Sequence, residues 1–561
     1  MLYENSAGRG TFALLFVAGA RFVARARFAA VMTLFVLLPN AAEAQLSATG
    51  GVYFEQDGGA TNEDPAVDDR FGRAVAAGDF NGDGVDDLAV GVPGETVGGL
   101  GFAGRISVRY GGPGGIPAGV ESSWALSNLG VTGLVPDVGD SFGASLAAGD
   151  FDDDGYDDLA VGVPYARIER PDGSFHDGAG AVIVLYGSVG GLSNGGAQGW
   201  WQGRNELAGV PEVDDRLGLA LATGDVDGDG FDDLAIGVPF EDVGSVVDAG
   251  GLNLLRGSAI GLTAFYTGEQ VWTKASFGLS EEEGAQFATA LVFGDFLLDG
   301  ADDLAIGNPQ EDLTGGENGG AVLVAQGLPG SGLAEAGEQV LVQGFLPVPG
   351  GSGEGHRFGA ALAAADFDGD GIDDLAIGSP GESWPDDDGG ELFDVGAVSI
   401  VTGDPAGFLA NGYGSRIERA ELGTAANLDA FASSLAAGDF DGDGAWELVI
   451  GAPGATAGGV AAAGAVYAIA RPDASPSGEV TVMVQAHVAP GAAETFDNFG
   501  AALAVGDFDG GHYLDLAIGA PNENSGAVSN AGAVSVFVSV VLFRDGFESG
   551  NVGPWSDAVG D

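Results

Sequence analysis

Acidic side chains recur along this chain at a spacing that could hold a metal ion. The stretch Asp79-Phe-Asn-Gly-Asp-Gly-Val-Asp-Asp has oxygen-bearing side chains at its first, third, fifth and ninth positions and glycine at its sixth. Calcium and similar hard cations bind six to eight oxygens, which alternate residues of a loop can supply at one point only if the chain turns sharply. Glycine permits that turn because it adopts a positive φ without strain. The pattern therefore predicts a calcium-binding loop.

The same nine-residue pattern occurs seven times, at intervals of 68 to 75 residues. We number the copies loops 1 to 7; they cover residues 79–87, 150–158, 225–233, 295–303, 366–374, 439–447 and 507–515. A fixed period over most of a chain indicates a repeat architecture rather than a series of separate domains.

Five loops have complete sets of candidate ligands. These are Asp79, Asn81, Asp83 and Asp87; Asp150, Asp152, Asp154 and Asp158; Asp225, Asp227, Asp229 and Asp233; Asp366, Asp368, Asp370 and Asp374; and, with a longer ninth side chain, Asp439, Asp441, Asp443 and Glu447. We expect the seventh-position backbone carbonyl to add a ligand, at Val85, Tyr156, Phe231, Ile372 and Ala445. Asp-Gly runs also form metal-free turns, but repetition at four fixed positions favours about five good calcium sites.

Two loops depart from the pattern. Loop 4 has Leu297 at the third position, and loop 7 has Gly511 and His512 at the fifth and sixth. They retain Asp295, Asp299 and Asp303 in loop 4, and Asp507, Asp509 and Asp515 in loop 7. Because calcium affinity follows the number of carboxylates, we expect these two sites to be degenerate, either empty or completed by water.

The residues around each loop indicate strands rather than the helices of an EF-hand. The twelfth position, Val90 in the first repeat, is β-branched and apolar in all seven copies, whereas an EF-hand or a dockerin-like loop needs an acidic residue there. Alternation of large residues with Ala or Gly after the loop is typical of a strand. Phe71–Asp79 predicts another strand before it, so each loop should join two antiparallel strands.

Two more strands are predicted in each of the first six repeats, and one more in the seventh. The third strands are predicted at Arg105–Tyr110, Ala181–Tyr186, Leu252–Leu255, Ala321–Ala325, Ala397–Val401, Ala465–Ala470 and Ala533–Val538. The fourth strands are predicted at Ser122–Ser127, Gly199–Arg204, Gln270–Lys274, Gln339–Gln343, Ser415–Glu421 and Glu479–His487. Four strands in each of seven repeats indicate an all-β fold, a seven-bladed β-propeller of four-stranded antiparallel blades spanning residues 46–541. The seventh repeat lacks a fourth strand, and we expect Ser47–Glu55 to supply it and close the ring. An open solenoid is less favoured because no capping repeat is visible.

Short sequences flanking the loops carry a family resemblance. Phe-Gly pairs occur at Phe71, Phe142, Phe358 and Phe499, and Gly-Ala-Pro at Gly451 and Gly519, with Gly-x-Pro in the other repeats. These residues resemble the FG-GAP repeats of integrin α-subunit propellers and their secreted bacterial relatives. The resemblance implies that partners would bind opposite the metal loops, at segments such as Tyr165–Gly178 and Gly381–Val395; the alternative, variable loops with incidental aromatic side chains, is favoured for both segments. The sequence has no Arg-Gly-Asp and no domain inserted in a blade, so the integrin ligand mode does not carry over.

Composition restricts the location of the protein. A formal net charge of −63 argues against nucleic acid and anionic membranes as partners. There is no cysteine, so metal would have to replace the disulfides of many extracellular proteins. Residues 1–44, with Arg21, Arg25 and Arg27, an apolar run and Ala42-Glu-Ala44, predict a secretory signal peptide; a retained anchor is the alternative. We expect no membrane span in the mature chain and a secreted or cell-surface location. The role of the tail, 542–561, cannot be derived from its residues.

The sequence favours a binding protein over an enzyme. The four histidines, His176, His356, His487 and His512, occupy unrelated repeat positions, and no nucleophile elbow, zincin or P-loop pattern is present. We expect an exported, monomeric, calcium-binding propeller that acts as a binding or adhesion module for an extracellular protein or glycan. The alternatives are a purely structural surface or matrix component and, less favoured, an accessory to a secreted hydrolase.

Overall fold

The repeats fold into seven four-stranded antiparallel sheets, which confirms the predicted blades. The computed structural model describes residues 44–46, 52–56, 65–116, 121–170, 172–205, 207–264, 271–313, 317–334, 339–345, 347–385, 391–404, 414–423, 425–472, 480–485, 493–511 and 513–541. The predicted signal peptide (except Ala44), residues 47–51, His487, His512 and the tail lie outside this set. Ala44–Val541 forms one compact unit.

Each blade is a meander of four strands. The first strands are Val75–Gly78, Leu146–Gly149, Leu221–Gly224, Ala290–Gly294, Leu362–Ala365, Ser434–Gly438 and Ala502–Gly506. The second are Asp87–Val92, Asp158–Val163, Asp233–Val238, Asp303–Asn308, Asp374–Ser379, Glu447–Ala452 and Asp515–Ala520. The third are Arg105–Arg109, Ala181–Tyr186, Gly251–Arg256, Ala321–Ala325, Ala397–Val401, Ala465–Ile469 and Ala533–Phe537. The fourth are Glu121–Trp124, Ser193–Trp200, Thr263–Ala264, Gln339–Leu341, Ser415–Glu418, Val480–Met483 and Val52–Glu55.

The ring closes through the N-terminal strand, as the sequence predicted. Val52–Glu55 pairs antiparallel with Ala533–Val536 and completes the seventh blade. Each first strand packs beside the first strand of the next blade, and that of blade 7 packs beside that of blade 1. Small residues dominate these inner strands, which lets seven of them approach one another around the centre.

A separate apolar core fills each junction between neighbouring blades. The blade 1–2 core contains Phe80 and Ile106 from one blade and Leu159 and Val161 from the next, all fully buried. Equivalent cores occupy the other six junctions. Both faces of the middle strands are therefore covered, which explains why they are apolar on both faces.

The glycines of the flanking sequences allow close approach between blades. A Cβ on Gly91, the glycine of Gly-Val-Pro, would lie 2.0 Å from the carbonyl oxygen of Gly143 in blade 2. Gly72, of the Phe-Gly pair, has φ +84°, and its N–H donates to the carbonyl of Gly91 at 3.1 Å. The two glycines thus join the start of the first strand to the end of the second.

Two predicted fourth strands were placed too late. In blade 2 the strand is Ser193–Trp200, which shares only its last two residues with the predicted Gly199–Arg204. In blade 3 the strand is Thr263–Ala264, whereas Lys274 begins a 3₁₀ turn, Lys274–Phe277, and its ammonium lies 2.5 Å from Glu311 of blade 4. Within the predicted segment, Trp272 makes only an isolated bridge to Leu252, and Gln270 lies outside the described residues. The need to pair a buried ammonium with a carboxylate accounts for the departure of Lys274 from the sheet.

The remaining described elements are small. Two-stranded ribbons pair Ala44–Leu46 with Ser539–Val541, Ile168–Glu169 with Phe175–His176, Gly327–Leu328 with Gly332–Leu333, and Trp384–Pro385 with Glu391–Leu392. Short helical turns cover Leu126–Leu129 and Arg419–Leu422. In the part of the chain that the structure describes, no helix is long and apolar enough to cross a membrane.

Candidate metal-binding loops

Each loop is built on its first-position aspartate. In loop 1, the Asp79 carboxylate accepts the N–H groups of Asp83 at 3.1 Å and Gly84 at 2.8 Å. Gly84 has φ +84°, the positive value expected from the sequence, and the sixth-position glycines of loops 2 to 6 share it. The loop therefore folds around a carboxylate, which fixes the direction of the side chains that follow.

The ninth-position carboxylate begins the second strand and is buried. In loop 2, Asp158 accepts the N–H of Gly187 at 2.8 Å on one oxygen and that of Phe151 at 3.1 Å on the other. Burial, together with the charges of Asp152 and Asp150, raises the pKa of Asp158 to about 8. Each oxygen keeps a second lone pair, so this carboxylate can still bind a cation, whose charge would favour its ionised form.

Five of the seven loops bring three carboxylates together. One oxygen of each lies within 4.8 Å of the other two in these groups: Asp150, Asp152 and Asp158; Asp225, Asp227 and Asp229; Asp366, Asp368 and Asp374; Asp439, Asp441 and Glu447; and Asp507, Asp509 and Asp515. Loop 7, one of the two loops expected to be degenerate, gathers its carboxylates in the same way as the complete loops.

Loops 1 and 4 form no such group among the described residues. Asn81 occupies the third position of loop 1, and its amide nitrogen donates to both oxygens of Asp87 at 3.2 Å. A cation there would require the amide to turn its oxygen inward. In loop 4 the apolar Leu297 stands at the third position, so Asp295, Asp299 and Asp303 lack the residue that would bridge them.

The donor set fits a hard divalent cation. All the convergent side-chain donors are carboxylate oxygens, which calcium prefers. Asp152 Oδ1 and Asp303 Oδ2 are buried and have no hydrogen-bond partner, so each would be costly to leave charged without a cation. At the seventh position, the N–H of Val85 donates to Asp83 and that of Tyr156 to Asp154, both at 3.1 Å. The seventh-position carbonyls remain proposed ligands.

The eighth position links neighbouring blades, a role that the sequence analysis missed. The Asp157 carboxylate of loop 2 accepts the N–H of Asp79 in loop 1 at 2.8 Å, and the Asp157 N–H donates to the Asp79 carbonyl at 3.1 Å. We call this carboxylate bond the aspartate clamp. It is repeated by Asp232 on Asp150, Asp302 on Asp225, Asp373 on Asp295, and Asp86 on Asp507 across the ring closure.

The clamp is missing at two of the seven junctions. The eighth position is Trp446 in loop 6 and Leu514 in loop 7. Trp446 keeps only the backbone bond, from its N–H to the carbonyl of Asp366 at 3.0 Å. The Asp-Asp doublets of the other five loops were the available signal, since their first aspartates had no role in the calcium pattern.

We call the end of the ring opposite the loops the Gly-x-Pro end. It is formed by the segments after each Gly-x-Pro and before each Phe-Gly pair. Buried amide–carboxyl pairs cross four of its blade junctions. Their donor–acceptor distances are 2.7 Å for Gln56–Glu95, 2.7 Å for Gln202–Glu241, 2.8 Å for Gln343–Glu382 and 2.5 Å for Gln485–Glu523. Ion pairs replace them at Lys274–Glu311 and Arg419–Asp429. The constant separation of 38 or 39 residues was a signal that the sequence analysis did not use.

The Gly-x-Pro end also exposes most of the large apolar side chains that are exposed in the described chain. They include Val67, Phe102, Val135, Val138, Tyr165, Phe175, Val210, Val213, Val247, Phe345, Phe393, Leu428 and Phe496. In the predicted binding segment Tyr165–Gly178, the Arg167 guanidinium lies 4.1 Å from the centre of the Phe175 ring. The second predicted segment has Phe393 exposed, with Trp384 half-buried beside Arg416.

Comparison with known proteins finds matches within the repeats. The family model described as "FG-GAP repeat" matches residues 71–108, 142–185, 217–252, 358–401, 431–469 and 499–537. The repeat that these matches omit is the fourth, whose loop carries Leu297. The matches therefore fall on blades 1, 2, 3, 5, 6 and 7.

The matched relatives are much longer proteins. The chain is 32% identical to integrin alpha-PS2 of Drosophila melanogaster over 32% of this chain and 11% of the relative. It is 31% identical to integrin alpha-V of Gallus gallus (36% and 16%) and 35% identical to phosphatidylinositol-glycan-specific phospholipase D of Homo sapiens (30% and 19%). It thus spans less than a fifth of the length of these relatives. Among solved structures, the alignment with the exotype rhamnogalacturonan lyase YesX covers 88% of this chain and 75% of the lyase, at 12% identity. Its TM-score of 0.38 is too low to relate the two structures.

Proposed function

Because the chain is an FG-GAP repeat β-propeller of the integrin α-like type, we propose that it is an extracellular binding module stabilised by calcium. The observation that carries the proposal is the convergence of three carboxylates in five loops, each at the same end of a blade. Convergent carboxylates repel one another, and a divalent cation between them removes that repulsion. Loops 1 and 4 would bind more weakly because they lack a third convergent carboxylate.

Calcium in this proposal has a structural role. The first-position aspartate would bind the ion through its carboxylate while its backbone N–H is held by the aspartate clamp of the next blade. Metal bound to one loop would thereby steady the junction with the next blade. Because the unfolded chain does not gather these carboxylates, the binding energy would add to the folding energy.

The Gly-x-Pro end is the proposed docking surface, and its chemistry favours a protein partner. Phenylalanine and valine predominate among its exposed side chains, and arginines such as Arg167 and Arg216 lie against aromatic rings. Rigid aromatic and arginine side chains are the types enriched in the hot spots of protein interfaces. The loop end exposes fewer large apolar side chains, Val189 and Ile260 among them, beside the carboxylates of its loops, which suit ions.

A binding screen with matched variants tests this docking surface. The purified chain, with calcium, is screened against extracellular proteins and glycans, and each binding partner is retested with Phe175→Ala and Val189→Ala. Both side chains are exposed, but Val189 lies at the loop end. We expect protein binding that weakens about tenfold or more with Phe175→Ala only. Binding only to glycans, equal effects of the two substitutions, or no saturable binding would contradict the proposal; the last result would favour a purely structural component.

We infer that this chain binds rather than catalyses. Its integrin-like relatives support a non-enzymatic module, and its match to a phospholipase D covers only 19% of that enzyme. The same proposal places the mature chain outside the cell as a monomer, after removal of residues 1–44. N-terminal sequencing of the exported protein tests the cleavage and should find Gln45 first.

A further inference from the structure

Loop 3 contains a positive charge of its own. Arg256 ends the third strand of blade 3, and one guanidinium nitrogen lies 2.8 Å from Asp227 and 2.5 Å from Asp229. Both aspartates belong to the carboxylate group of this loop. The Asp227 side chain is completely enclosed (0% exposed), whereas 37% of the Arg256 side chain is exposed. The guanidinium therefore covers the carboxylate group from the solvent side.

No other repeat has an arginine at this position. The position can be identified in every repeat from the residue that follows it. In blade 3 that following residue is Gly257, whose N–H donates to the ninth-position carboxylate, Asp233, at 2.8 Å. By alignment of the repeats, the counterparts of Arg256 are Tyr110, Tyr186, Gln326, Thr402, Ala470 and Val538. Arg471 of blade 6 lies one residue later, 3.0 Å from Asp443, and is 63% exposed.

The carboxylate group of loop 3 also differs in its membership. In loops 2, 5, 6 and 7 the group consists of the first, third and ninth positions, whereas in loop 3 the fifth-position Asp229 takes the place of Asp233. Arg256 bridges Asp227 and Asp229 across this altered group. The difference from the other loops is thus located at the residues that contact the arginine.

We propose that Arg256 sets the calcium affinity of loop 3 by acting as a tethered cation that competes with calcium for Asp227 and Asp229. The inference rests on the proposed calcium function and refines it. Calcium must either displace the guanidinium or bind a loop whose net negative charge is lower by one, and its affinity follows that charge. Loop 3 then binds calcium more weakly than loops 2 and 5, which also have four aspartates. It also depends less on the metal than loops 2 and 5 do, because Arg256 already neutralises part of the repulsion between its carboxylates.

The experiment measures the occupancy of each loop separately. Crystals of the purified chain are equilibrated at graded calcium concentrations, and anomalous scattering gives the occupancy of each loop. We expect loop 3 of the unmodified protein to reach half-occupancy at about tenfold higher calcium than loops 2 and 5. In Arg256→Gln, loop 3 should fill together with them. Arg167→Gln is the matched control, since it removes the same charge from a side chain of similar exposure at the Gly-x-Pro end.

The outcomes separate this inference from the calcium function itself. Simultaneous filling of loops 2, 3 and 5 in the unmodified protein overturns the role of Arg256 and leaves the calcium function standing. An equal shift of loop 3 in Arg256→Gln and Arg167→Gln also overturns it, because only overall charge would then matter. Calcium in none of the loops overturns both. If Arg256→Gln does not fold, the order of filling in the unmodified protein still decides.

Discussion

The two ends of the ring surround their acidic groups with different partners. At the loop end, three carboxylates converge in each of five loops, and basic side chains contact only some of them. At the Gly-x-Pro end, four buried glutamates accept hydrogen bonds across the junctions from Gln56, Gln202, Gln343 and Gln485, and a partly buried fifth pairs with Lys274. Under the calcium proposal, the loop end would therefore take its partner from solution, whereas the carboxylates of the Gly-x-Pro end have hydrogen-bond or ion-pair partners within the chain.

The difference suggests that the two ends have separate roles, one in binding ions and the other in contacting a partner. An end that depends on an ion responds to the composition of the solvent, and an end with internal partners does not. The end with internal partners is also the one that exposes aromatic and aliphatic side chains. The proposed docking surface thus lies at the end of the ring where no metal is proposed to bind.

Chelation should give the largest effect and should act through the loop end. A site at a hundredfold excess of calcium over its dissociation constant adds ~2.7 kcal/mol. Several such sites are comparable with the ~5–15 kcal/mol stability of an ordinary domain. We expect calorimetry to show a large fall in Tm with excess chelator and poor rescue by magnesium, which demands a tighter octahedron. Equal melting curves with and without calcium would show that the loops are metal-free turns.

Loss of the closing strand should be nearly as damaging, but independent of calcium. Deletion of residues 47–55 removes Phe54, which is buried in the blade 7–1 core below the Arg109 guanidinium at 4.8 Å. It also exposes the edge of Ala533–Phe537, an unpaired strand that can recruit other chains. Light scattering should show aggregation even at saturating calcium. Phe54→Ala should cost about 3 kcal/mol and Val52→Ala, at a partly exposed site, less than 1; a monomeric deletion variant with unchanged Tm would rule out closure by this strand.

Among the loops, single substitutions should rank by convergence. Asp370→Ala removes a candidate ligand from a loop whose carboxylates converge. Asp299→Ala changes a loop that already lacks a ligand at its third position, where Leu297 stands. At saturating calcium we expect a loss of about 2–3 kcal/mol for Asp370→Ala and under 1 for Asp299→Ala. Thermal unfolding of both variants, with and without calcium, measures the difference. A larger cost for Asp299→Ala would contradict the ligand assignment.

The aspartate clamp should contribute a smaller amount at one junction. Asp157→Leu, which copies the residue found in loop 7, leaves the N–H of Asp79 without its acceptor and should cost about 2 kcal/mol. Asp157→Asn keeps an acceptor oxygen and should behave nearly like the unmodified protein. Denaturant unfolding at saturating calcium compares the two. Equal losses in both variants would mean that charge, rather than the hydrogen bond, joins the blades.

The smallest effect should be a pH dependence from the Gly-x-Pro end. Burial, first of all, raises the pKa of Glu241 to about 7, and burial with the charge of Glu241 raises that of Asp215 to about 8. A carboxyl group whose pKa is higher in the folded than in the unfolded state stabilises the protein when the pH lies below the unfolded-state pKa, near 4. This stabilisation is lost as pH rises through the folded-state pKa values, about 7 for Glu241 and about 8 for Asp215. At saturating calcium, Glu241→Gln should reduce the fall in stability between pH 5 and 8 by about 1–2 kcal/mol. The exposed Glu169→Gln should not; if both variants follow the original profile, the pair does not titrate in this range.

The sequence predicted the blades because their signal is local and repeated. Loops, inner strands and the buried ninth position follow from residue type at fixed spacing. The closure by Val52–Glu55 followed from counting strands. The aspartate clamp and the Gln–Glu pairs also recur at fixed spacing, but the spacing does not identify the partners, because each joins residues of different blades whose contact appears only when the ring is assembled.

The two loops expected to be degenerate show a further limit. Loop 7 lacks a fifth-position carboxylate, yet Asp507, Asp509 and Asp515 converge. Loop 4 lacks the third-position residue, and its carboxylates form no such group in the described chain. A count of carboxylates treats these losses as equal, but the third position belongs to the convergent group in all five loops and the fifth only in loop 3, so loss of the third matters more for convergence.

The pairing of Val52 with Val536 gives the chain an order of assembly. These residues are 484 positions apart in the sequence. Their pairing in blade 7 therefore joins the most distant strands of the propeller, and contacts between residues so far apart form slowly. Blades 1 to 6 can each fold from neighbouring residues, whereas blade 7 must wait for both termini of the ring. A chain emerging N-terminus first therefore carries an unpaired strand until the seventh repeat has been synthesised, and the arrival of that repeat becomes the event that closes the ring.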